Sequence, residues 1–222
     1  ENAALTTKVT AAAEGQKGTI VKSGGGSVSL SSEIEAATLE VQEGGFNADG
    51  GNNLVYLLGH VDTLRAAKNA SISLGRNAYT VSGDNFTNNF EANGGKLNMA
   101  ISQHATKTIT GQLSVTNGGT LNMADGGLRF TGDITLGASD TDSVTLKGNY
   151  GKGGIILDGV VGGQGTVNLV DGGNSGPQKV TLSNDKNTFA GTYKVNSRTQ
   201  LVLQSELAAK EANVNLDGGS LV

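Results

Sequence analysis

The chain has no cysteine, no tryptophan and a single proline in 222 residues. Without cysteine there is no disulfide framework and no thiolate metal site. A chain that crosses an oxidising compartment unfolded also benefits from having no thiols, so the composition is compatible with secretion. Aromatic residues make up only 4%, so the large rings that usually dominate a compact core are nearly missing. No run of about 18 apolar residues occurs, and Glu1–Thr10 holds no apolar segment of signal length. The basic residues are scattered through a chain of net charge −4. No run of them would neutralise a row of phosphates, so nucleic acid is not expected as a partner.

What the chain has in excess is glycine, 35 residues, and a small apolar unit that recurs along its length. The unit is two apolar residues separated by one other, as in Ile72/Leu74, Leu97/Met99, Leu121/Met123, Val144/Leu146, Val167/Leu169 and Tyr193/Val195. Period-two alternation puts both members on one face of a short strand and turns the middle residue to water. Gly-Gly, Asn-Gly and Asp-Gly steps punctuate these strands and supply the positive φ of tight turns. The turns repeat as well. Asn93-Gly94-Gly95-Lys96-Leu97-Asn98-Met99 is echoed by Asn117-Gly118-Gly119-Thr120-Leu121-Asn122-Met123.

Several short strands in each period of about 20–25 residues predict a coiled solenoid in which each turn buries its apolar face on the next. The expected fold is all-β, a right-handed parallel β-helix forming part of a longer rod. About nine coils would extend roughly 43 Å at the strand spacing. An antiparallel sandwich would need longer strands and more aromatics. The segment Asn53–Ala67 breaks the pattern and predicts a loop or short helix protruding from the rod. Ser205–Ala212 predicts a helical turn at a corner, with Ser205 as its cap. The coils divide into 1–158, which contains the 53–67 segment, and a C-terminal set, 159–222.

That C-terminal set carries a recognisable phrase. Asn187-Thr188-Phe189-Ala190-Gly191-Thr192-Tyr193-Lys194-Val195 leads to Gln200-Leu201-Val202-Leu203 and then to Val214-Asn215-Leu216-Asp217-Gly218-Gly219-Ser220-Leu221. Together with Gly163-Gln164-Gly165-Thr166-Val167-Asn168-Leu169, it resembles the repeat near the C-terminal end of bacterial autotransporter passenger domains. The resemblance spans roughly residues 159–222, and the rest shares only the looser coil pattern. It implies a type V secreted virulence protein, displayed at the bacterial outer membrane or released. Export would be through a C-terminal translocator barrel that lies outside these residues. It also implies an autochaperone role for the last coils, with Phe189, Tyr193 and Leu203 as a folding nucleus.

Residues with chemistry are few. Gly172-Gly173-Asn174-Ser175-Gly176-Pro177 looks like a serine-protease nucleophile loop, with His60 and Asp62 or Asp84 upstream. The coil period continues on both sides of it through Val167/Leu169 and Val180/Leu182, which leaves no room for a protease barrel. It reads as a turn. His60 and His104 lack the further ligands of a zinc site. Gly44–Gly51 is a single degenerate copy of a calcium-repeat pattern that needs stacked copies. Asp125, Asp140, Asp142 and Asp171 sit in glycine-rich turns, with Asp140 and Asp142 as a small acidic patch. They do not form the paired carboxylates that glycan cleavage requires. Neither an enzyme nor a cofactor is expected.

The outward middle positions are more informative. Asn98, Asn122, Asn168 and Asn215 each lie between apolar neighbours and are expected to form one outward row. Such a row suits either an amide ladder or a binding surface. Two functions follow. One is an adhesin segment whose weakly acidic side meets a host-cell or matrix ligand, or pairs with another passenger. The other is a passive stem and folding nucleus that displays an upstream domain.

Overall fold

The computed structural model describes residues 17–30, 33–48, 51–75, 83–100, 105–123, 126–148, 154–173 and 176–222. The architecture is the expected parallel β-helix, and the strands fall into three parallel sheets. Sheet A has seven strands, from Thr19–Lys22 to Val161–Gly162. Sheet B has nine, from Ser27–Ser29 to Asn213–Asp217. Sheet C has seven, from Asn85–Phe86 to Ser220–Leu221. Among the described residues the rod makes about seven turns, with nine passes along sheet B.

Stacking in register makes the core. In sheet A, Leu39, Leu64, Phe90, Leu113, Ile134 and Val161 lie one above another and are all buried. Leu97, Leu121, Leu146, Leu169 and Val195 do the same in sheet B. In sheet C the column is Ile109, Phe130, Leu157 and Leu182. Each such side chain contributes roughly 1.5–3 kcal/mol by leaving water. Since each turn touches only its neighbours, that stabilisation accrues turn by turn.

Two lysines occupy inward columns. Lys22 is fully buried, and its Nζ donates to the carbonyls of Gly24, Gly26 and Glu43. Lys107 lies in the column of Leu128 and Ile155. Its Nζ donates to Gly83 O at 2.5 Å and pairs with Asp84 at 3.1 Å. A buried ammonium needs compensating partners, which three carbonyls supply for Lys22 and one carbonyl with the Asp84 carboxylate supplies for Lys107.

Of the loop or short helix expected within 53–67 the structure shows the helix, packed into the rod rather than protruding from it. Gly51–His60 is an α-helix (α1), and Val61–Ala66 is a strand of sheet A. In the chain, α1 stands where later turns place a strand of sheet C. Leu54, Leu57 and Leu58, at helical spacing, turn one face into the core, while Val55 is exposed. The dense apolar run belongs to the inside of the rod. His60 closes the helix with its ring stacked on Tyr56 at 3.6 Å and Nδ1 on the Tyr56 carbonyl at 2.9 Å.

Sheet A ends without an eighth strand. The backbone N–H groups of Thr188 and Phe189 both donate to Val161 O, and Asn187 Oδ1 accepts from Val161 N–H at 2.8 Å. Asn187 Nδ2 then donates to Ala208 O at 2.8 Å. Ala208 lies in Ser205–Ala212, a run of tight turns that Ser205 opens by accepting from Leu207 N–H. One buried asparagine thus covers the last edge of sheet A and ties it to the next turn.

Phe189 and Tyr193 lie side by side in the core with ring centroids 4.7 Å apart. Leu203 is only partly buried, on the outermost full strand of sheet C. Among the described residues the Tyr193 hydroxyl has no hydrogen-bond partner, and burial raises its pKa far above the ordinary tyrosine value. A buried hydroxyl without a partner costs about 1–3 kcal/mol. Tyr193→Phe is therefore expected to unfold at a higher temperature than the unaltered chain, by several degrees in a thermal melt. A lower melting temperature would show that the hydroxyl contributes stabilising contacts.

Candidate functional site

The outward side of sheet B is the broadest regular surface of the rod, and strand register determines which residues share a row. Asn98 faces Asn122 on the next strand, and Asn122 Nδ2 donates to Asn98 Oδ1 at 3.0 Å. Asn98 in turn donates to Ser73 Oγ at 3.2 Å. This row runs Asn47, Ser73, Asn98, Asn122, Lys147. Asn168 and Asn215 are not in it. They lie in the neighbouring row, Ser71, Lys96, Thr120, Thr145, Asn168, Lys194, Asn215. The four asparagines expected as one ladder are two pairs, and only Asn98 and Asn122 bond to each other. Asn168 instead donates to Ser143 Oγ and Val144 O.

The cause is a change of frame at Ser143–Gly148. Up to that strand, the second inward row of sheet B is Leu74, Met99 and Met123. Its next position is Gly148, where an added Cβ would sit 1.7 Å from Gln178 Nε2. The buried Gln178 side chain fills the place of the missing one. From there the second inward row runs on the other side of the leucine column, as Val144, Val167 and Tyr193.

The charge of this face differs from that of the chain. The charged residues in the strands of sheet B are Lys96, Lys147, Lys194, Asp171 and Asp217. Asp171 pairs with Arg198 at 3.2 Å and Asp217 with Lys194 at 3.0 Å. Among the described residues Lys96 and Lys147 have no carboxylate partner. Ser, Thr and Asn fill most of the remaining outward positions. The weakly acidic side expected from net charge is, on this sheet, a basic one. Sheet A differs: its Arg65 lies between Glu91 at 2.5 Å and Glu40 at 3.5 Å, and the Glu91 hydrogen bond leads in raising the guanidinium pKa.

A depression of about 340 Å³ opens at the edge of this face, lined by Asn69, Ala70, Ser71, Gly94, Gly95 and Lys96. Two glycines, Gly94 and Gly95, form its corner. At Gly95 a Cβ would meet Ala67 O at 2.4 Å, so nothing larger fits.

No family model, characterised protein or solved structure matches this chain.

The other candidates separate clearly. His104, Asp125, Asn174 and Ser175 lie outside the described residues. His60 sits at the end of α1, and among the described residues no group of three His, Asp or Glu side chains could hold a metal ion. Asp142 is a structural clamp. Its carboxylate accepts the backbone N–H groups of Asn117, Gly118, Ala138 and Ser143 at 2.6–2.8 Å. Burial opposes its charge, but the four donors outweigh it and hold its pKa below the ordinary aspartate value.

Since the folded pKa is depressed, the stability from Asp142 is full above about pH 4 and is lost as pH falls through the lowered folded value. Asp142→Asn keeps one oxygen for four donors. It is expected to cost about 1–2 kcal/mol at neutral pH and to flatten the acid limb of the stability curve. An unchanged acid limb in urea titrations between pH 2 and 5 would rule out this clamp.

The lysines were the residues that sequence reading missed. Lys194 occupies the middle of the Tyr193/Val195 pair just as Asn98 occupies the middle of Leu97/Met99. The same rule would have placed it on the outward face.

Proposed function

We propose that the chain is an adhesive segment of a secreted or surface-displayed rod, with the outer face of sheet B as its contact surface. The observation that carries this reading is the extent of that face. It is an array of hydroxyl, amide and ammonium groups over nine strands, in which Lys96 and Lys147 have no carboxylate partner among the described residues. Such an array suits many weak polar contacts to a sugar-rich surface or a matrix protein. The phrase around Asn187–Val195 supports display by a bacterial autotransporter route, in which a translocator barrel elsewhere in the protein would anchor the rod.

A second reading is favoured by a different observation. The Asn187 cap and the Phe189–Tyr193 pair tie the C-terminal turns together. Such a unit would serve a stem and folding nucleus that carries another domain.

The test is binding of the purified chain to host cells and to matrix-coated wells, beside an unrelated β-helix of similar charge. Saturable binding above that control supports adhesion. Binding equal to the control, with the fold intact by circular dichroism, leaves the stem reading.

A further inference from the structure

The three lysines on sheet B are far apart in the sequence, yet the solenoid sets them at regular intervals. Lys96 belongs to the strand Lys96–Met99, Lys147 to Ser143–Gly148 and Lys194 to Thr192–Asn196. Exactly one strand separates each from the next: Thr120–Met123 between the first two, and Thr166–Asp171 between the last two. At about 4.8 Å per strand, the lysine positions recur roughly every 10 Å along the rod axis, with Lys147 two residues along the strand from the row that holds Lys96 and Lys194. That interval is close to the length of one disaccharide in an extended polysaccharide. The residues between them on the two rows are Thr120, Asn122, Thr145, Asn168 and Val170, and all but Val170 can exchange hydrogen bonds with sugar hydroxyls. The depression beside Lys96 adds a concave seat at one end of the series.

We infer that sheet B binds a linear acidic polysaccharide with one negative group per disaccharide, laid along the rod axis across the strands. This rests on the adhesive reading of the same face and narrows its ligand. The carboxylate or sulfate groups meet Lys96, Lys147 and Lys194 in turn, and the neutral hydroxyls meet the Ser, Thr and Asn positions between. Asp217, paired with Lys194, competes with the ligand for that lysine. A duplex nucleic acid fits less well, since its phosphates are far denser than the lysines.

The experiment measures binding of the whole chain to hyaluronate, chondroitin sulfate, neutral dextran and duplex DNA. Hyaluronate or chondroitin sulfate is expected to bind saturably and at least about tenfold tighter than dextran or DNA, and more weakly as salt rises. Each of Lys96→Gln, Lys147→Gln and Lys194→Gln is expected to weaken it about threefold, and the triple variant about thirtyfold. Asp217→Asn should tighten binding about twofold, a gain that a purely structural role for Lys194 would not give. The charge-matched variant Lys179→Gln/Lys186→Gln/Lys210→Gln, altered away from sheet B, should bind like the parent. Equal binding of DNA and the acidic polysaccharides would overturn the inference, as would equal loss in both triple variants. If cells are bound but no acidic polysaccharide is preferred, the ligand class is wrong while the adhesive face stands. If cells are not bound either, the adhesive reading itself fails.

Discussion

Replacing Gly119 with alanine is expected to destabilise the rod by about 3 kcal/mol or more, although it adds a single methyl group. Gly119 lies at the corner before Thr120–Met123, and an added Cβ would stand 2.0 Å from the carbonyl oxygen of Ala92 on the turn below. That neighbour is backbone and cannot rotate away. The strand must lift off its partner, and the bond from Thr120 N–H to Gly95 O at 2.9 Å goes with it. The adjacent Gly118 provides the contrast. Its φ is +80°, so alanine there is strained by about 1–2 kcal/mol, but nothing lies within 4 Å of its Cβ. Denaturant midpoints should therefore rank the unaltered chain first, Gly118→Ala second and Gly119→Ala well below. If Gly119→Ala is as stable as Gly118→Ala, the turns are not stacked this closely.

Asn187→Ala is expected to have a comparable effect, about 2–5 kcal/mol, through hydrogen bonds alone. It strips the partner from the Val161 N–H and from the Ala208 carbonyl, both at buried positions. Each unsatisfied buried group costs about 1–3 kcal/mol. The loss should be local, because neighbouring turns are coupled only through their interface. Hydrogen exchange should show the last turns, after Val161–Gly162, opening first while the strands around Phe90 and Leu113 stay protected. Uniform loss of protection would argue against a cap and for a single cooperative core.

The elements that were legible in the sequence are those fixed by local pattern. The pairs such as Leu97/Met99 and Val167/Leu169 do face inward, and the glycine-rich steps do turn the corners. Register was not legible, because a pair repeated with period two looks the same when shifted by two residues. Leu121 stacks on Leu146, the second member of its pair, so the asparagines of the two halves fall in different rows. Only the place of Gln178 over Gly148 reveals the shift, and those residues are thirty apart in sequence but adjacent in space. The helix α1 was misplaced because a dense apolar run has no sign of inside or outside until the turns around it are known. The alignment of Lys96, Lys147 and Lys194 is likewise a product of topology. Each is an isolated charge in the sequence.

The most direct test of the adhesive face compares two matched pairs of substitutions. Asn122→Glu/Thr145→Glu reverses the character of sheet B at outward positions, and Ser114→Glu/Thr135→Glu does the same on sheet A. Both chains should fold, and their binding to the cells or polysaccharide that the unaltered chain recognises is then measured. The account predicts at least a tenfold loss for the sheet B pair and little change for the sheet A pair. Equal binding by the two, or a loss confined to sheet A, would contradict it.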